Sequence, residues 1–111
     1  MFGMSEKKIE KWGQKKKLGK LVKALAHSNS IYRAAAAEAL GNIDDEESAH
    51  ALITALRDPV AEVRLNAVIS LEKIKSPLAV EHLRNIAKND EDPEVRNEAA
   101  RALGIVPKDS K

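Results

Sequence analysis

The 111-residue chain has no cysteine, which excludes a disulfide framework and any cysteine-ligated zinc or iron–sulfur centre. Aromatic residues are almost missing: Phe2, Trp12 and Tyr32 are the whole set. Sandwich and barrel cores want β-branched and aromatic side chains, so this scarcity, beside 17 alanines, points to close-packed helices. No Val/Ile/Thr alternation and no Asn-Gly hairpin competes with that reading. No apolar run approaches the roughly 18 residues of a membrane span, and the N-terminus lacks a secretory h-region, so a cytoplasmic protein is expected. Gly-rich phosphate loops, a nucleophile elbow and a paired acid and base are also missing, and catalysis is not expected.

What is present is enough for one folded domain. Leu, Ile, Val and Phe together number 27, about a quarter of the chain, which argues against disorder. Charge is uneven. Residues 1–27 hold eight lysines (Lys7, Lys8, Lys11, Lys15, Lys16, Lys17, Lys20 and Lys23) against Glu6 and Glu10. The remainder holds eleven Lys/Arg against fifteen Asp/Glu, so a basic head sits on an acidic body.

A repeat runs through that body. Leu21, Leu52 and Leu83 are spaced by 31 residues, and Arg33, Arg64 and Arg96 and then Leu40, Leu71 and Leu103 follow the same register. The third copy carries one extra residue, assigned to Asn89-Asp90-Glu91-Asp92. Each copy reads as two helices, because apolar residues recur at spacings of three and four, as in Val60, Val63, Ala67, Leu71 and Ile74. Asp58-Pro59, Ser76-Pro77 and Asp92-Pro93 each offer an N-cap acceptor before a proline at the first helical position. Gly41 and Gly104 fall where left-handed C-caps are wanted. These signals predict helices near 18–27, 31–41, 46–57, 60–75, 77–88 and 93–104, with a basic capping helix from about Ser5 to Lys17 that packs through Ile9 and Trp12. The expected organisation is a capping segment 1–17, a repeat domain 18–106 divided as 18–45, 46–75 and 76–106, and a polar tail 107–111.

The pattern Asp58-Pro59…Val63-Arg64…Ala67…Leu71, with Asp92-Pro93…Val95-Arg96…Ala99…Leu103 as its second instance, resembles the HEAT-like repeat family. The likeness is to its compact variant of about thirty residues, similar to the repeats of phycobilin lyase subunits. In the first copy Ser28-Asn29 replaces Asp-Pro and Tyr32 replaces Val. The residues of tetratricopeptide and ankyrin repeats do not line up. The resemblance implies an all-α solenoid of three helix pairs with an extra N-terminal helix, each pair burying its apolar stripe on the next. It also implies that Asp58 and Asp92, with Arg33, Arg64 and Arg96, hydrogen-bond between adjacent repeats as a structural ladder.

The family usually binds on its concave face, lined by second helices. If Ala67, Val68 and Leu71 face the core, Leu65 and Ile69 form an apolar pair on that face, with Asn66, Lys73, Glu38, Asn97, Glu98 and Arg101 around it. A protein or peptide partner is expected there, the plainer alternative being that Leu65 and Ile69 fill gaps between helices. Deoxyhypusine hydroxylase, another HEAT-like solenoid, carries His-Glu metal ligands just after this Arg. Here those places hold Ala34-Ala35, Leu65-Asn66 and Asn97-Glu98, so no metal or cofactor is expected. His27, His50 and His82 match no metal spacing, and His27 suits a helix C-terminus. The lysine head offers a second function, non-specific binding of nucleic acid or an anionic surface. Without arginine it has no base-reading fork, and Met1, Phe2 and Met4 could rest on lipid; otherwise it is a solvated cap. A monomer or an end-to-end homodimer through 77–104 is expected.

Overall fold

The computed structural model describes residues 3–105, so Met1, Phe2, residue 106 and the 107–111 tail lie outside the described residues. The described residues form α1 (Glu6–Gln14), α2 (Leu18–Ala24), α3 (Ser30–Leu40), α4 (Glu46–Ala55), α5 (Ala61–Ile74), a 3-10 turn at Pro77–Ala79, α6 (Val80–Asn89) and α7 (Pro93–Ala102). No strand occurs among them. Helices α2, α4 and α6 each pack on the helix that comes next, giving three pairs, and α1, α3, α5 and α7 lie side by side as an inner row. The long dimension, 47 Å against 24 and 22 Å, is what helices stacked at about 8–10 Å produce.

The core is aliphatic and continuous along the stack. Leu21, Leu40, Leu52, Val63, Val68, Leu71 and Val95 are buried, interleaved with Ala36, Ala37, Ala67 and Ala99. Alanine allows this because it lets backbones approach without losing helix propensity. The N-terminal helix caps the stack through Ile9, which is fully buried, and through Trp12, which is half-buried against the core. It does so as the first member of the inner row, lying directly on α3.

Helix ends depart from expectation in instructive ways. Gly41 is not left-handed: its φ is −65°, and its small size serves a close approach instead. A Cβ there would sit 2.6 Å from Ser70 Oγ, and Ser70 Oγ donates to the Ala37 carbonyl at 2.6 Å. Gly13 permits a similar approach between α1 and α3, where a Cβ would lie 2.9 Å from Ala39 Cβ. The left-handed stop on α5 is Lys75 at φ 59°, while Gly104 is left-handed as expected, at φ 79°. Asp58-Pro59 does not cap α5. That helix starts at Ala61 with Val60 at the cap position, and Asp58 accepts from the Val60 amide in a turn ahead of it. Ser76 and Asp92 do cap, accepting from Leu78 and from Glu94 and Val95, but the segment after Pro77 opens as a 3-10 turn before becoming helix α6.

Gly41→Ala is expected to destabilise the protein by about 1–3 kcal/mol, because overpacking displaces Ser70 from its buried bond. Denaturant unfolding checks this. The added Cβ would also lie 3.0 Å from Ser70 Cβ and 3.1 Å from its Cα, so Ser70→Ala relieves the clash only in part, and a double-variant loss smaller than the sum of the two single losses identifies it.

Candidate functional site

The polar residues that hold one repeat on the next form a ladder with a fixed geometry. Arg33, Arg64 and Arg96 each donate from Nη1 to the carbonyl six residues earlier, on His27 at 2.9 Å, Asp58 at 2.8 Å and Asp90 at 2.6 Å. That anchor aims the other edge of the guanidinium across the repeat boundary. Arg33 grips Asp58 through Nε and Nη2 at 2.8 and 3.2 Å, and Arg64 grips Asp90 at 2.8 and 3.0 Å. Both are bidentate forks, which add orientation to charge. The Arg64–Asp90 pair is the deeper, its side chains 8% and 4% exposed against 14% and 10% for Arg33–Asp58. Donation to the Asp90 carboxylate holds the Arg64 guanidinium proton more firmly than usual, against the opposing effect of burial, and the charges of Asp90, Glu91 and Asp92 add to it.

The carboxylate on the third rung is therefore Asp90, and the expected rung residue Asp92 caps α7 instead. The two Asp-Pro dipeptides are out of register by two residues. Counting back six from each Arg aligns His27, Asp58 and Asp90, and all three do the same local job: their side chains accept from the amide two residues on, in Asn29, Val60 and Asp92, at 2.9 Å each. His27 thus takes the place of the aspartate in the first repeat, with its ring edge-on to Tyr32 at 5.0 Å. The extra residue of the third copy lies in the last turn of α6. Helices α2 and α4 leave through 3-10 bonds, His27 N to Ala24 O and Asp58 N to Ala55 O, whereas Asp90 N reaches Ile86 O through an α-type bond.

On the second-helix face the expected binding residues are spread out and partly consumed by packing. Ile69, 37% exposed, stands on the middle of α5, but Leu65 is half-buried and packs against the core. Ala34, on the neighbouring inner helix, is buried. Asn66 donates from Nδ2 to the Ala34 carbonyl at 2.9 Å, a bond between adjacent inner helices. Lys73 reaches Asn42 Oδ1 at 3.2 Å, Glu98 pairs with Arg101 on α7, and Glu38 and Asn97 are exposed. Two separate hollows flank this surface. One, of about 470 Å³, is lined by Glu6, Lys7, Glu10, Ala35, Glu38, Ala39, Asn42 and Lys73. The other, of about 350 Å³ between α5 and α7, has Glu62, Asp92 and Glu94 around Ala61, Leu65, Asn66 and Val95. The second hollow carries three carboxylates and no cation.

At the other end, all eight lysines of the head are exposed, and none makes an ion pair within 4.0 Å among the described residues. Lys8 and Lys20 place their ammonium groups 5.9 and 5.5 Å from the Trp12 ring centre, a cation–π arrangement. His50 and His82 are exposed on α4 and α6, and no cluster of three or more potential metal ligands occurs among the described residues. No described helix is long and apolar enough to cross a membrane.

Helix pairs stacked on a shared core and pinned by a repeated Arg–Asp fork define an α-solenoid repeat protein. The chain matches the HEAT repeats family over residues 18–104 and belongs to it. Among curated proteins it is similar to the bilin biosynthesis protein MpeU of Synechococcus sp. (strain WH8020), with 34% identity over 77 residues. That stretch is 68% of this chain and 26% of the relative, so the chain spans about a quarter of the relative's length.

Splitting rung from cap gives a direct test. Asp90→Ala leaves Arg64 buried without its partner and is expected to cost about 3–5 kcal/mol, whereas Asp92→Ala removes a cap worth about 1 kcal/mol. Urea unfolding of the two variants should separate them by several-fold in the folding free energy lost; equal losses would contradict the assignment.

Proposed function

We propose that the chain is a non-catalytic interaction scaffold that holds a protein or peptide segment on the face formed by α3, α5 and α7. The observation that carries this reading is Ile69, a large apolar side chain exposed in the centre of α5, with the exposed Glu38 and Asn97 on the flanking inner helices α3 and α7. Apolar anchors ringed by polar groups are how interfaces concentrate binding energy. The three carboxylates of the α5–α7 hollow favour a segment that is basic as well as apolar. The relative's name concerns bilin biosynthesis, and a repeat segment matching a quarter of that protein contributes binding rather than bond-making in this reading.

Ile69→Asp tests it; the side chain is 37% exposed, so the change is expected to cost about 1–2 kcal/mol of folding stability, and capture is read on variant protein shown by circular dichroism to be folded. Capture of a discrete partner from native lysate should fall at least tenfold, and undiminished capture sinks the proposal. A chromophore or stoichiometric metal carried by the purified protein would overturn the non-catalytic reading. Leu65→Asp is the control: it is expected to lower stability itself, because that side chain packs on the core.

A second reading rests on the eight exposed lysines of the head, which make no ion pair among the described residues and suit phosphate groups. Ile9 is buried and Trp12 is flanked by two ammonium groups, so neither is presented for lipid insertion or base stacking. Binding through this head would track the backbone of a nucleic acid without sequence preference. Reversing Lys15, Lys16 and Lys17 to Glu should then abolish a salt-labile, nuclease-sensitive retention while leaving capture on the inner-helix face intact.

A further inference from the structure

We propose that the C-terminal end of the stack, centred on Arg96, is a docking face for a further helical repeat from outside these 111 residues, and that this partner supplies an Asp carboxylate on the turn leading into its second helix. The three arginines are oriented alike. Each is anchored on the carbonyl six residues before it, which leaves Nε and Nη2 directed at the next repeat. For Arg33 and Arg64 that edge is filled by the carboxylates of Asp58 and Asp90, 25 and 26 residues further on. For Arg96 no carboxylate fills it among the described residues, and a rung at the same spacing would fall beyond Lys111. The guanidinium is therefore pre-oriented for a bidentate acceptor, so a partner binding there need not bear the cost of ordering it.

The apolar side chains of that end are open in the same pattern. In the second repeat Leu56, Val68 and Leu71 are 3%, 0% and 1% exposed. Their counterparts in the third repeat, Ala87, Ala100 and Leu103, are only half-buried, and Ile105 beyond them is 52% exposed. A repeat seated against α6 and α7 would cover this set and complete the rung together, as the third repeat does for the second.

A second copy of this chain stacked head to tail does not supply the missing group. Its leading rung is His27, whose Nδ1 already accepts from Asn29 N–H, so the ring turns an N–H rather than a lone pair toward an incoming guanidinium. Its leading inner helix is also covered already, because α1 lies on α3.

The test extends the full chain. Residues 76–104 are duplicated after Pro107, so that the copied aspartate comes 26 residues after Arg96, the separation of Asp90 from Arg64. In the unextended protein, hydrogen exchange at the Arg96 Nε–H should be at least tenfold faster than at Arg33 and Arg64. Extension should slow it to their range, and changing only the copied aspartate to asparagine should restore the fast exchange at Arg96 while leaving the other two protected. Four results would overturn the proposal. These are an added repeat that stays unfolded, one that folds with Arg96 unchanged, protection in the unextended chain that Asp109→Asn removes, and protection there that grows with protein concentration. The third would make the chain's own tail the occupant and the fourth a second copy.

Discussion

One guanidinium, tied to a carbonyl of its own repeat and forked onto a carboxylate of the next, is the constraint on which the stacking of this protein depends. Helices packed through alanine have smooth surfaces, and smooth surfaces slide. Apolar contact between α3 and α5 specifies that they meet, with little preference for register. The Arg33–Asp58 and Arg64–Asp90 forks set that register, because a bidentate pair tolerates little displacement. Burial makes the second fork sensitive to the loss of either partner, since an unpaired charge would remain in a desolvated place.

The third repeat shows how strictly this geometry is kept. It has one residue more than the others, yet Asp90 stands in the same relation to Arg64 and Arg96 as Asp58 does to Arg33 and Arg64. The extra residue is absorbed where α6 ends, by an α-type final bond in place of the 3-10 bonds that end α2 and α4. Spacing between inner helices is set separately, by small side chains at Gly13 against Ala39 and at Gly41 against Ser70. Ser70 and Asn66 then bond to carbonyls of α3, so the row is held by hydrogen bonds as well as by packing.

This economy bears on function. Most polar side chains between repeats are engaged in the stack, and no buried side-chain nitrogen or oxygen among the described residues lacks a partner. What the described residues leave over lies on surfaces: Ile69 on the inner row, the acidic hollow between α5 and α7, the lysine head, and Arg96, whose fork meets no carboxylate among them. In the proposed reading these are the places where other molecules dock, and they are arranged on a rod rather than gathered into one cleft.

The helices, their pairing and the repeat were legible in the sequence, because apolar spacing of three and four and a period near 31 depend only on helix geometry and on the need to bury one stripe. The presence of a ladder was legible too, through the recurrent Arg. Its partners were not. Asp58-Pro59 and Asp92-Pro93 look alike as text but differ in position by two residues relative to the Arg after each, and only the distance from each Arg exposes His27 and Asp90 as the equivalents of Asp58. Gly41 reads as a left-handed cap and is a contact point, and Leu65 reads as exposed and packs on the core. Local sequence determines backbone periodicity, since that is a matter of nearest neighbours in the chain. Which carboxylate meets which guanidinium, and which apolar side chain stays in water, is decided by the approach of residues some thirty positions apart, and that was settled only when the repeats stacked.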